Sequence, residues 1–350
     1  MKIALIHYRI VNKGGLETRL LNYIDFFLSE GHEVSVLCSK IHPDIITNHK
    51  NLKIIKLNLG IMPKLFRKWY FNLVLKKEMK KHAFDFSLSL GRTSHQDAVL
   101  APSNHLGYLK ALNKKQSSIS DYLQIYLDRV SYQKSKIIFA ASEMMKSELE
   151  NLYHINPQKI VVLYPPLNIH KFNKGLKEKQ LYFKEKYNLN TNELCFLFVS
   201  TSNKRKGIEL LKQVFSSLDI TKYHLYISGD NPGIYNQKNI HYLGYQKNIE
   251  ELYAAADFTI HPAIYEPFGQ IISESLQCGT PVIISENTGA KELVANEFGI
   301  IINGFEKEDW LKAITNIKKR EFSILSDFAI LNQLSVESHV KMMLKYYQNL

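Results

Sequence analysis

The sequence predicts an α/β protein built from two parallel-sheet halves in succession. Three observations carry this. A strand, a glycine loop, an amphipathic helix and a second strand open the chain; a second series of short apolar strands begins at Leu194; and the stretch between them, from Tyr164 to about Glu193, is polar and turn-rich. At roughly 100–200 residues per domain, a chain of 350 residues suits two cores.

Ile3 to His7 is an apolar run of strand length, and Gly14-Gly15 follow it as a loop. Leu16, Leu20, Ile24, Phe27 and Leu28 then recur at helical spacing until Gly31 ends the helix. Glu33 to Cys38 is the returning strand, and such a strand–helix–strand unit starts a parallel sheet covered by helices. Strands resume at Phe86 to Leu90 and Lys136 to Ala140. The second series reads Leu194 to Ser200, Tyr223 to Ser228, His241 to Gly244, Phe258 to His261 and Pro281 to Ser285. Each half is Rossmann-like on this reading. The last helix, Glu337 to Leu350, has an apolar face that is expected to pack back on the first half. The expected domains are 1–165 joined by 337–350, and 166–336.

With 45% hydrophobic and 22% charged residues, the chain is ordinary globular material and not a disordered one. Cys38, Cys195 and Cys278 are far apart in apolar runs, which reads as three core thiols with no disulfide framework or zinc site. The opening MKIALIHYRI is too short for the apolar core of a signal peptide, and no apolar stretch reaches the ~18 residues of a membrane span. The expected location is cytoplasmic. The net charge of +12 is uneven: residues 1–165 hold 24 Lys and Arg against 13 Asp and Glu, and residues 166–350 hold 21 against 20. The excess belongs to the first half, which calls for an anionic partner there.

The richest stretch is His261 to Ser285, HPAIYEPFGQIISESLQCGTPVIIS. A strand ends near His261, and Glu266-Pro267-Phe268-Gly269 makes a sharp turn into a helix that stops at Gly279. The backbone N–H groups of Gly269, Gln270 and Ile271 then start a helix at the C-terminal end of the sheet, where open α/β sheets bind ligands. A helix N-terminus suits a diphosphate. Glu266 and Glu274, eight residues apart, flank that point. Carboxylates accept hydrogen bonds from sugar hydroxyls, so Glu274 suits a ribose diol and Glu266 the hydroxyls of a second sugar. Two acids on a solvated helix face would be the plainer reading. The tight turn, the small-residue exit and the apolar strand beyond argue against it.

This stretch resembles the E-x7-E signature of the retaining GT-B glycosyltransferases of family 4, and the resemblance extends over most of the chain. Gly14-Gly15-Leu16-Glu17 looks like the family's first glycine loop, whose further glycine is replaced here by Asn12 or Lys13. Ser200 to Gly207 (STSNKRKG) looks like the loop whose Arg and Lys clamp the donor diphosphate, here Arg205 and Lys206. LYAAADFTIHPA looks like the strand leading into the signature, and TGAKELV like the short helix after it. Val162 to Asn173 resembles the hinge segment, with Pro165-Pro166 where the family usually has Asn-Gly. Gly91 to Leu109 is most similar to bacterial transferases that build lipopolysaccharide cores and similar envelope glycans; Ala98 to Ser103 fill a gap where relatives often carry Arg and Gly.

The resemblance implies two Rossmann-like domains facing each other across a cleft and a metal-independent retaining transfer. The donor would be a nucleotide-diphosphate sugar, with a UDP-sugar favoured. The acceptor would be a lipopolysaccharide-like or lipid-linked glycan at the cytoplasmic face of the membrane. No protein nucleophile is expected; the leaving diphosphate takes the acceptor proton while Arg205, Lys206 and the helix end neutralise it. His105 matches the family's active-site histidine, Asp97 would support it from behind, and Gly14 and Gly15 would let the backbone approach the substrates. Asp230 is either close to the nucleotide or a turn residue. No metal or other cofactor is expected, since no D-x-D motif adjoins a strand and the histidines lack metal-ligand spacing.

Residues 63–82 (PKLFRKWYFNLVLKKEMKKH) hold seven Lys and Arg, one Glu and four aromatics. A basic helix with aromatics can lie on an anionic membrane, or it can simply cover the sheet with its lysines in water. Two other functions compete: a different GT-B enzyme, such as a sugar-nucleotide epimerase or glycan phosphorylase, and a basic nucleic-acid binder. The second leaves the EPFGQIISE turn unexplained, and no nucleic-acid motif accompanies the charge. A dehydrogenase is disfavoured because the first loop lacks G-x-G-x-x-G.

Overall fold

A computed structural model describes residues 1–11, 14–42, 49–233, 235–317 and 321–350. The chain forms two compact units, Met1–Pro166 with Val336–Leu350, and Leu167–Ser335. The loop positions Asn12 and Lys13 lie outside the described residues.

The first unit contains β1 (Lys2–Ile6), β2 (Arg9–Ile10), β3 (Glu33–Cys38), β4 (Lys40–Ile41), β5 (Leu52–Lys56), β6 (Phe86–Ser89), β7 (Ala98–Ala101), β8 (Ile137–Ala140) and β9 (Ile160–Val162). Seven of these make one parallel sheet in the order β5-β3-β1-β6-β7-β8-β9, while β2 and β4 pair separately. The second unit holds β10 (Leu194–Ser200), β11 (Tyr223–Gly229), β12 (Ile240–Gly244), β13 (Phe258–His261), β14 (Val282–Ser285) and β15 (Gly299–Ile302). These also form a parallel sheet, ordered β12-β11-β10-β13-β14-β15. Both sheets therefore reverse direction of growth inside, between β1 and β6 and between β10 and β13. That reversal is where two strand ends part and leave a crevice.

The strands β6, β7, β8, β13 and β14 are buried along their whole length, as expected of strands covered on both faces. One face of the first sheet packs on Leu20, Ile24 and Phe27 of helix Gly15–Ser29 and on Val340 and Met343 of helix Val336–Gln348. The other face packs on Phe71 and Leu75 of helix Arg67–Met79. In the second unit Phe196, Phe198, Leu211, Phe215 and Trp310 share one core.

Helix Val336–Gln348 is bonded to the first unit as well as packed on it. The buried His339 sits 2.6 Å by Nε2 from the Tyr23 hydroxyl and 2.9 Å by Nδ1 from the Tyr164 carbonyl. Burial pushes its pKa down to about 3, so the ring is neutral near pH 7.

Six strands were not legible in the pattern, and two of them, β2 and β4, have only two residues each. β5 alternates lysine with apolar residues at a sheet edge, β9 has only three residues, and β15 opens on a glycine lying against the Val282 carbonyl. β7 occupies Ala98–Ala101, within the stretch where relatives often carry Arg and Gly. All three cysteines are free and buried. Among the described residues no helix is long and apolar enough to cross a membrane.

Candidate active site

The site assembles at the C-terminal ends of β10 and β13, the reversal point of the second sheet. After β10 the chain passes through Arg205 and Lys206 to Gly207, which has φ 83° and begins helix Ile208–Phe215. A Cβ on Gly207 would lie 2.1 Å from the Pro262 carbonyl oxygen. Only glycine lets this loop sit against the segment that follows β13. The Arg205 carbonyl accepts from Ile264 N (2.9 Å), which binds the two loops edge to edge.

The turn after β13 is held from its other side. Glu266 N donates to the Asn287 carbonyl (3.0 Å), Gly289 N to the Glu266 carbonyl (2.8 Å) and Ala290 N to the Phe268 carbonyl (2.7 Å). Gly269, at φ 92°, turns the chain into helix Gln270–Gln277. That helix has no side-chain cap, and its first internal bond runs from Ile272 N to the Gly269 carbonyl (2.9 Å). A helix start built this way keeps its partial positive charge directed outward. The Phe268 ring is buried, so it contributes by anchoring the turn.

Two cations converge on one carboxylate. Arg205 Nη1 lies 3.2 Å and Lys206 Nζ 3.8 Å from Glu266 Oε2, and Arg205 also donates to the Tyr265 carbonyl. His261 Nε2 is 3.5 Å from the same oxygen, on a fully buried ring. Burial alone would push the Glu266 carboxyl up; the close approach of His261 and the charges of Lys206 and Arg205 outweigh it and hold its pKa at about 2. Burial lowers His261 to about 4 and lowers Lys206 below its usual range, with Glu266 opposing the latter. Near pH 7 the corner therefore holds an ionised Glu266 and a neutral His261 beside Arg205 and Lys206.

Glu274 lies inside the helix and accepts from the Tyr253 hydroxyl at 2.9 Å. Burial raises its pKa, against the hydrogen bond from Tyr253 and the positive charge of Lys171. Arg205, Lys206, Glu266, Phe268, Gly269, Gln270, Ile271 and Glu274 thus belong to one neighbourhood of the second unit. Asp230 follows β11, where its N–H bonds the Ser200 carbonyl at 2.8 Å.

The remaining candidates lie in the first unit. His105 begins helix His105–Ala111 just beyond β7, with Nε2 2.8 Å from Asp121 Oδ1 and its backbone N–H on Asp128 Oδ2 at 2.9 Å. Asn104 caps the helix through Gly107 N (2.6 Å). Gly14 (φ 128°) precedes helix Gly15–Ser29 and lies so near Glu17 that a Cβ would meet its Oε2 at 2.6 Å. Asp97 needs correction. It precedes β7, at the opposite end of that strand from His105, and accepts from Ser87 N (3.1 Å) and Oγ (2.6 Å) while pairing with Lys136 (2.8 Å). Those bonds tie β6, β7 and β8 together at their start, so Asp97 is a strut and not a support behind His105.

Sequence reasoning passed over His261, Tyr253 and Asp128. His261 had read only as a strand end, and nothing in the pattern marked Asp128. In fact Asp128 is buried and bonds Arg92 Nε (2.5 Å), the Tyr153 hydroxyl (3.0 Å) and His105 N. Among the described residues no group of three or more His, Cys, Asp or Glu is placed to hold a metal ion.

Two Rossmann-like parallel-sheet units, one with a basic pair and an uncapped helix start at its reversal point, define the class of GT-B glycosyltransferases. Comparison with known proteins agrees. Residues 13–171 match the model for Glycosyltransferase Family 4, and residues 180–328 match that for Glycosyl transferases group 1. A probable transglycosylase of Burkholderia thailandensis is 30% identical over 240 residues, 69% of this chain; the match spans 65% of that relative's own length. The lipopolysaccharide glucosyltransferase WaaG of Escherichia coli K12 is 19% identical over 85% of this chain and 83% of its own. A crystal structure of WaaG superposes with a TM-score of 0.77 over 91% of this chain and 90% of that one, at 19% identity. HepE of Anabaena, solved with UDP-glucose, gives 0.73 over the full length of both chains at 15% identity. The chain belongs to the family 4, group 1 glycosyltransferases.

Proposed function

We propose that the protein is a retaining glycosyltransferase that moves a sugar from a nucleotide-diphosphate donor, a UDP-sugar by preference, to a lipopolysaccharide-like or lipid-linked glycan, without a metal ion. One observation carries the reading: Arg205 and Lys206 are gathered on Glu266 beside the start of helix Gln270–Gln277, at the reversal point of the sheet. A diphosphate at that corner would meet two cations and a helix dipole in surroundings largely withdrawn from water.

The chemistry follows from the charges. The bond between the sugar C1 and the diphosphate oxygen breaks, and its electrons go to that oxygen, where Arg205 and Lys206 neutralise them. The acceptor hydroxyl oxygen bonds C1 and passes its proton to the departing oxygen, on the same face of the ring. Glu266, with a pKa of about 2, is too weak a base to take that proton near pH 7. It suits holding the two cations in place and accepting a bond from a sugar hydroxyl. Glu274, lying along the helix and steadied by Tyr253, suits the ribose diol. His105, fixed by Asp121 and Asp128, suits orienting the reacting hydroxyl.

WaaG and HepE support the two substrate classes, the first as a transferase of lipopolysaccharide biosynthesis and the second as a protein solved with UDP-glucose. The basic helix Arg67–Met79, with Trp69 and Leu73 exposed, supports attachment at the cytoplasmic face of an anionic membrane. The test is a donor panel of UDP-, GDP- and ADP-sugars assayed for nucleotide diphosphate release in excess EDTA. Release from one donor that persists with EDTA and rises with a glycolipid acceptor supports the proposal. Loss of release with EDTA refutes metal independence, and no release from any donor refutes the activity.

A further inference from the structure

The first unit has its own crevice, at the reversal between β1 and β6. A cavity of about 860 Å³ opens there, lined wholly by residues of that unit. Four cations line it: Arg9 after β1, Lys64 and Lys68 at the start of helix Arg67–Met79, and Arg92 after β6. Among the described residues only two acids, Glu17 and Asp128, line it with them. Asp128 is taken by Arg92, and Glu17 lies 3.7 Å from His7. Arg9, Lys64 and Lys68 have no carboxylate partner among the described residues. Lys68 is held below its usual range first by loss of solvent and then by the positive charge of Arg92, with Asp128 opposing and Arg9 adding to the lowering, so these cations feel one another.

The rest of the lining is largely apolar. Phe71, Leu90, Val99 and Leu100 form its buried part, while Leu65 and Leu123 remain partly exposed. The two segments that supply these last residues carry most of the unit's exposed apolar side chains: Ile61, Phe66 and Trp69 on one, Ile119, Tyr122 and Tyr126 on the other. Crowded cations over an apolar floor, between segments with exposed apolar side chains, fit an anion attached to a hydrocarbon.

We infer that this cavity binds the phosphate end of a lipid-linked acceptor, with Arg9, Lys64 and Lys68 meeting the phosphate and the apolar lining meeting the first part of the lipid chain. Its role as an acceptor site rests on the glycosyltransferase reading above; the binding of a lipid phosphate does not. Arg92, locked on Asp128, stays in place, and the same Asp128 holds the backbone of His105. The phosphate pocket and the histidine that would face the acceptor thus share one anchor.

Isothermal titration of the full chain with geranyl phosphate, geraniol, inorganic phosphate and UDP tests this. Geranyl phosphate should bind at least about tenfold more tightly than geraniol or inorganic phosphate, and more weakly as salt rises. Lys64→Gln with Lys68→Gln should weaken it by about a hundredfold, roughly tenfold per charged contact, and leave UDP affinity unchanged. Equal affinity for geraniol would reduce the site to a greasy pocket, and equal affinity for inorganic phosphate to a free-anion site; either result overturns the inference. So does wild-type affinity in the double variant, or UDP competing for the same site. UDP binding without geranyl phosphate binding defeats this inference alone. Geranyl phosphate binding in a protein that binds no nucleotide keeps the site and defeats the transferase reading.

Discussion

Replacing Glu266 by Gln isolates the charge that holds the donor corner together. The amide keeps the shape of the side chain but removes the carboxylate on which Arg205 and Lys206 converge, in a place with little water. A carboxyl pKa of about 2 against an ordinary 4.5 is a shift of roughly 2.5 units, or about 3 kcal/mol at ~1.4 kcal/mol per unit. Because the shift is downward, that stabilisation is complete above pH 4.5 and fades as pH falls towards 2. For a unit of this size the loss should lower the melting temperature by about 6–12 °C at pH 7. The assay is differential scanning calorimetry of both proteins, with and without UDP. UDP should raise the melting temperature of Glu266→Gln more than that of the wild type, because a diphosphate restores the missing negative charge. Melting of the variant within about 1 °C of wild type, or a smaller UDP shift in the variant, would refute the electrostatic argument.

Three further outcomes are expected. Arg205→Ala combined with Lys206→Ala should cut transfer by about a thousandfold while far-UV circular dichroism stays unchanged; near-normal turnover would reject the diphosphate clamp. His339 has its pKa depressed by burial to about 3, so its contribution is intact above the unfolded value near 6.5 and is lost as pH falls below it. The wild type should therefore lose stability from pH 6.5 downward, and His339→Gln should show a flatter dependence in pH-resolved melting, from a lower starting point. Changing Lys76, Lys77, Lys80 and Lys81 to Gln should reduce co-sedimentation with anionic liposomes at low salt; unchanged binding would return the helix to a purely covering role.

The periodic signals carried the fold where they were strong. Helix Gly15–Ser29 and strands β1, β3, β10 and β13 follow from apolar spacing and glycine punctuation. The strands that escaped notice lack such contrast: β9 is too short to show a period, and β7 is a run of small residues inside a polar stretch. At the site, the turn through Glu266 to Gly269 was legible because glycine and proline have conformational meaning in any context. What spacing could not convey was partnership. The sequence placed Glu266 against a sugar and Arg205 against a phosphate, yet the residues lie 61 positions apart and meet each other. Likewise the charge surplus of the first half pointed to an anion but not to Arg9, Lys64 and Lys68, which tertiary structure gathers from two separate segments. Asp97 misled because an acid near a family-like histidine in sequence stands at the far end of a strand in space.

The path of the backbone through the two units has a bearing on how the protein is made. The second unit is continuous, so a ribosome delivers all of it before the polypeptide turns back to its starting fold. Its core can close while the first is still missing Val340 and Met343, side chains that are synthesised only after the whole of the second unit. Order of assembly is thus inverted relative to order of synthesis, and the Tyr23 hydroxyl waits more than 300 residues for its histidine. A nascent protein stalled before that point would expose an uncovered apolar face, and chaperone capture should concentrate there.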